Sequence, residues 1–224
     1  MKRTKLSDRR LPDYTAGEEI FNMVTHIVGA VVGLVAIVLC VIRSSLEGDA
    51  YGIVSGAVFG FSMLLVYTMS SIYHGLAPWR FSKKILQIID HCSIFILIAG
   101  SYTPFSLVLL RKENAVLGWT IFGVIWGCAV LGIVLNSIDL KSFNVISMII
   151  YLGMGWCIVS VWGPVKEGLG QNGTALLLAG GIAYTVGAIF YMIGSKKHYI
   201  HAVFHIFTVI GSLLHFLCIL LYTL

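Results

Sequence analysis

Long apolar runs, broken by short stretches rich in charge, glycine or proline, set the pattern of the chain. They cover approximately 20–42, 51–76, 85–110, 117–136, 143–163, 174–194 and 200–222. A helix rises about 1.5 Å per residue and needs roughly 20 apolar residues to cross the ~30 Å hydrocarbon layer, so each run is long enough to span a membrane. The pattern predicts an all-α protein, a seven-transmembrane helix bundle. Strands are disfavoured because each run is continuously apolar, whereas a barrel strand alternates over about ten residues. The breaks fall at Arg43 to Asp49, Pro78 to Lys84, Arg111 to Asn114, Ser137 to Ser142, Pro164 to Gly173 and Ser195 to His198. Small residues four apart, such as Gly29 and Gly33, suit close helix packing in lipid.

Composition agrees: 58% of residues are hydrophobic and 11% charged, against about 45–50% and 25% in soluble domains. The 224 residues leave no room for a separate soluble domain, so the chain divides into a basic tail, 1–19, and a membrane domain, 20–224. The first apolar run is too long for a signal sequence and reads as a retained helix. Five cysteines, Cys40, Cys92, Cys128, Cys157 and Cys218, lie singly inside apolar runs, as small core residues do. A net charge of +5 in a soluble protein would raise nucleic acid as a partner. Here the charge sits in short connections, which excludes that reading and sets topology instead. One side carries Lys2, Arg3, Lys5, Arg9, Arg10, Arg80, Lys83, Lys84, Lys141, Lys196 and Lys197, and the other only Arg43, Arg111, Lys112 and Lys166. The bias predicts a multi-pass protein of the cell membrane with its N-terminus in the cytoplasm and its C-terminus outside.

With that topology most unusual polar residues fall at one depth. His74 closes the second run, Asp90 lies early in the third, and His201 and His205 open the seventh. All four are expected within roughly 10 Å of the inner boundary. His201 and His205 are spaced i,i+4, so both imidazoles leave one helix face and can hold one metal ion. His74 would complete a three-nitrogen set, the catalytic form of a zinc site, whose bound water is acidified towards a pKa of ~7. Ser70 stands one turn before His74, and Asp90 is placed to hydrogen-bond such a water or to orient a histidine. A single histidine near a helix end is usually an interfacial residue; the convergence of several on one depth favours a metal. Glu18, Glu19, Asn22 and His26 open the first run on the same side. The stripe Glu19, Asn22, His26 fits helix capping with interhelical hydrogen bonds as well as a direct site role. His91 is expected at a polar interface, His198 in solvent, and His215 without a partner. Pro104, in Ser101-Tyr102-Thr103-Pro104, is expected to bend the third helix, with hydroxyls meeting the freed carbonyls.

At these residues the chain resembles the progestin and adipoQ receptor family, and within it the bacterial haemolysin III branch. The matching motifs are Glu18-Glu19-x-x-Asn22-x-x-Thr25-His26-x-x-Gly29, Ser70-x-x-x-His74, Asp90-His91, Ala99-Gly100-Ser101-Tyr102-Thr103-Pro104 and His201-x-x-x-His205. The resemblance implies seven helices with a cytoplasmic N-terminus, and zinc held by His74, His201 and His205 with Ser70 and Asp90 close by. Through the alkaline ceramidases and adiponectin receptors it also implies hydrolysis of lipid amides.

Three functions compete. As an enzyme acting on membrane lipids, the protein would use zinc-bound water against an amide or ester carbonyl, with Asp90 carrying the proton and Ser70 polarising or positioning the substrate. As a sensor or receptor of membrane state it would hold zinc structurally. As a pore-forming cytolysin it would need a polar path through the full bilayer, and the apolar outer halves of the runs rank this last.

Overall fold

A computed structural model describes residues 3–194 and 198–224. Ser195, Lys196 and Lys197, which form the break before the last apolar run, and Lys2 of the topological count lie outside the described residues. Among those described there is no strand. The chain forms α1 (Ala16–Leu46), α2 (Ala50–Gly75), α3 (Phe81–Pro104), α4 (Ala115–Asp139), α5 (Asn144–Trp156), α6 (Trp162–Gly194) and α7 (Ile200–Tyr222). Among the described residues, six helical stretches are long and apolar enough to cross a membrane. The protein is a multi-pass membrane protein.

Helix starts follow local chemistry. The Thr15 hydroxyl accepts from the Glu18 backbone at 3.2 Å, and the Glu18 carboxylate accepts from the Thr15 backbone at 2.9 Å. This reciprocal cap satisfies two orphan donors and starts α1 about one turn before the apolar run. Asp49 caps α2 through Tyr51 N at 3.1 Å, and Asn114 caps α4 through Leu117 N at 3.0 Å.

Two features stand out against the sequence pattern. Over Asn144–Gly194 the helical winding is nearly continuous, with 3-10 winding at Cys157–Val161, and the expected break between Pro164 and Gly173 narrows to Gly170, whose φ of 63° kinks the stretch into two helices. The two arms fold back on each other, so that the Tyr191 hydroxyl lies 3.5 Å from Asn144 Oδ1 and Trp156 Nε1 donates to the Thr185 hydroxyl at 3.1 Å. Pro164 falls in the first turn of α6, where its missing N–H costs no hydrogen bond. Pro104 changes the winding of α3, which continues as π-helix over Phe105–Leu110. The Ser101 and Thr103 hydroxyls bond the Leu97 and Ala99 carbonyls, upstream of the carbonyl that Pro104 leaves without its donor.

The apolar face of α1 points outward. Val24, Ile27, Val31, Leu34 and Val38 are exposed, while Glu18, Asn22, His26, Gly29 and Gly33 are buried. Lipid replaces water at such a surface, and the polar groups gather between helices. α1 packs along α2 at backbone distance. A Cβ on Gly33 would lie 2.6 Å from Leu64 N, and one on Gly60 would lie 2.5 Å from Ile37 N, so neither position accepts a side chain. Farther in, the Tyr67 and Tyr184 hydroxyls both meet Ser212 Oγ at 2.5 Å, joining α2, α6 and α7 below the polar cluster.

Candidate metal centre

His74 sits in the last turn of α2, and His201 and His205 occupy the first two turns of α7. One nitrogen from each ring lies within 4.8 Å of the other two. The His201 and His205 Nε2 atoms are 3.0 Å apart. A tetrahedral zinc with bonds of about 2.0–2.1 Å holds its nitrogens roughly 3.3 Å apart, so the two rings are already near a shared ligand position.

The third ring supplies the stronger argument. His74 Nδ1 lies 2.6 Å from Glu19 Oε2. A carboxylate is an acceptor, so Nδ1 carries the proton and Nε2 presents a lone pair. That Nε2 is buried without a hydrogen-bond partner. A buried acceptor with no donor is costly, and a cation among the three rings would satisfy it. The carboxylate–histidine arrangement is also the usual way in which a metal-binding histidine is fixed in tautomer and orientation. The donor set therefore fits zinc.

More groups close the centre from either side. The His26 ring stacks on His205 at 3.8 Å between centroids, with both its nitrogens buried and unbonded. On the cytoplasm-facing side of the sequence reading, Tyr14 stacks on His201 at 5.0 Å and lies 5.8 Å from His74. Burial pushes the Tyr14 phenol well above its ordinary range, so the hydroxyl stays protonated. The segment before α1 is held across the helix ends by Thr4 N to Asp139 Oδ2 at 2.8 Å and by Lys84 Nζ to Ser7 O at 2.6 Å.

Ser70, Asp90, His201 and His205 line a cavity whose walls are otherwise mainly apolar, including Ile94, Leu97, Leu152 and Phe204. The Asp90 side chain, 14% exposed, has the Ser70 hydroxyl and the His74 and His91 rings as its polar neighbours. The structure thus brings together all five residues that the sequence singles out: His74, His201, His205, Asp90 and Ser70.

The remaining polar residues divide. Glu18 is a structural cap that also accepts from Tyr199 N at 2.6 Å. Glu19, on the same turn, reaches the histidine centre. His91 lines the cavity and meets the Tyr191 hydroxyl at 3.1 Å. The His198 side chain is 76% exposed beside Glu18. His215, expected without a partner, faces the Leu177 carbonyl at 3.2 Å. Tyr14, Tyr73 and Lys83 are among the neighbours that sequence reasoning does not assign to the centre.

A helical membrane protein with a three-histidine cluster beside a half-buried aspartate defines the class. The comparisons place it further. The family model described as Haemolysin-III related matches residues 14–216, and the chain belongs to that family. It is similar to Hemolysin-3 of Bacillus cereus, 40% identical over 207 residues that cover 92% of each chain. It is also similar to the Hemolysin-3 homolog of Bacillus subtilis (strain 168), 41% identical over 209 residues, 93% of this chain and 96% of the relative. A distant human relative, Monocyte to macrophage differentiation factor, is 25% identical over 215 residues, 92% of this chain and 84% of the relative.

Proposed function

We propose that the protein is a zinc-dependent hydrolase of lipid amides or esters that works at the cytoplasmic side of the membrane. The observation that carries this reading is an apolar cavity lined by His201 and His205, two of the three clustered histidines, together with Asp90 and Ser70. His74, His201 and His205 would hold the ion, and zinc in such a set acidifies a bound water and polarises a carbonyl. Asp90, enclosed and next to Ser70, accepts a proton from water and returns it to the leaving group. Ser70 orients that carboxylate or donates to the substrate carbonyl. The apolar walls receive an acyl chain and exclude water from it, while Glu19 keeps His74 in the tautomer that faces the cluster.

Soluble substrates suit this cavity poorly, because most of its wall offers them no hydrogen bonds. The test is release of fatty acid from a panel of ceramides and phospholipids in reconstituted bilayers, with zinc-loaded and metal-stripped protein compared. Product that depends on zinc is expected. Absence of any zinc-dependent product, with the metal bound, would favour a sensor with a structural zinc.

The proposed topology has seven spans, with the N-terminus in the cytoplasm and the C-terminus outside. Two features support it: the lysine and arginine bias, and the 51-residue stretch Asn144–Gly194, which kinks at Gly170 and folds back so that Tyr191 meets Asn144, as two antiparallel crossings of a ~30 Å layer would. Reporter tags at Met1 and Leu224 are expected on opposite faces of the membrane. Both tags on one face would exclude an odd number of spans.

A further inference from the structure

Lys83 stands in the first turn of α3 and is 1% exposed. Nothing about α3 itself favours a lysine there. The N-terminal end of a helix carries partial positive charge, so a cation is unfavourable in its first turn. A buried ammonium is costly besides, unless it is paired and hydrogen-bonded. The pairing is complete: Lys83 Nζ donates to Glu19 Oε1 at 2.6 Å and to the Leu76 carbonyl at 2.7 Å, and it lies 5.2 Å from the centroid of the Tyr73 ring. The other oxygen of the same carboxylate, Glu19 Oε2, holds His74 Nδ1 at 2.6 Å. Lys83, Glu19 and His74 therefore form one line from a buried cation, through a carboxylate, to a nitrogen aimed at the cluster.

We infer that Lys83 is a positioning residue of the metal centre: its ammonium, bonded to Glu19 Oε1, holds the carboxylate with Oε2 on His74 Nδ1, and so sets the affinity of the three-histidine site for its ion. This rests on the metal-site reading above. Without the ammonium, the half-enclosed Glu19 side chain would keep His74 as its one polar partner among the described residues. Its carboxylate would lose the donor that fixes its orientation, and the His74 ring would be held less firmly with Nε2 towards the cluster. The Leu76 contact gives Lys83 a second role, in securing the end of α2 two residues beyond His74. A purely structural lysine would act only there.

The test measures zinc affinity of detergent-purified protein against a competing chelator in the wild type, Lys83→Gln, Glu19→Gln and the double variant, and adds Lys83→Met. Glutamine can still donate to Leu76 O but carries no charge. Lys83→Gln is expected to weaken zinc binding about 10–100-fold, the range for loss of an outer partner of a metal ligand. Glu19→Gln is expected to do the same, and Lys83→Gln in the Glu19→Gln background to cause no further loss, because both changes cut one path. Should Lys83→Met fail to fold, the glutamine variants still decide the matter. Wild-type affinity in folded Lys83→Gln overturns the inference, as does a loss of equal size in both backgrounds, which would mean that Lys83 acts independently of Glu19. Failure of the wild type itself to bind zinc would overturn the metal-site reading, an outcome distinct from either.

Discussion

Fatty-acid release falls to background in the variant carrying His74→Ala, His201→Ala and His205→Ala, the largest effect expected from any change confined to side chains of the site. Each alanine removes one nitrogen from a cluster whose ligand atoms lie within 4.8 Å of one another. Two of those nitrogens come from one face of α7 and the third from the end of α2, so no single helix retains a site. His205→Ala alone is expected to lose metal and activity together, because two imidazoles from different helices bind zinc far more weakly than three. The substitutions do little to the packing between α1 and α2, which rests on the Gly33 and Gly60 approaches farther along both helices. Folded protein without activity is the expected result, checked by retention of the helical circular dichroism signal in the same sample.

Asp90→Ala separates chemistry from metal binding. Asp90 is outside the group of residues that could supply ligand atoms, yet it lines the cavity beside Ser70, His201 and His205. A group that carries a proton in the transition state typically contributes about 10²–10⁴-fold, so turnover should drop by that factor while zinc content is largely preserved. If Asp90 instead serves to orient His74, its loss would weaken zinc affinity about 10–100-fold, and turnover would recover at saturating zinc. Measuring turnover as a function of added zinc distinguishes the two: a depressed plateau marks the proton carrier, a shifted midpoint the orienting group.

Much of this arrangement is legible in the sequence because a membrane reduces the problem to one dimension. Hydrocarbon thickness fixes how long each apolar run must be, and distance along a run converts to depth, so His74, His201 and His205 align before any packing is known. Their common depth and the i,i+4 spacing carry the ligand set. What the sequence leaves open is lateral. Glu19 and Glu18 are adjacent, and only the rotation of α1 against α2 and α7 decides that Glu19 reaches His74 whereas Glu18 caps its own helix. Lys83 sits in a short basic connection and counts towards topology like Arg80 and Lys84. Its burial depends on how α3 enters the bundle. Tyr14 precedes the first helix, where no periodicity exists to assign a face, and its stacking on His201 follows from the anchoring of residues 4 and 7 to α4 and α3. The break between 164 and 173 is narrower than its loop-like sequence for a local reason. Pro164 is tolerated in the first turn of α6, and the change of direction falls on Gly170 alone, whose positive φ a glycine adopts at no steric cost.

The account stands on the metal, and metal analysis of detergent-purified protein tests it most directly. The wild type is expected to carry about one zinc per chain under a single three-histidine site, and the His74→Ala, His201→Ala, His205→Ala variant almost none. Near-stoichiometric zinc surviving in that variant, or a folded wild type that binds none when supplied with it, would contradict the account.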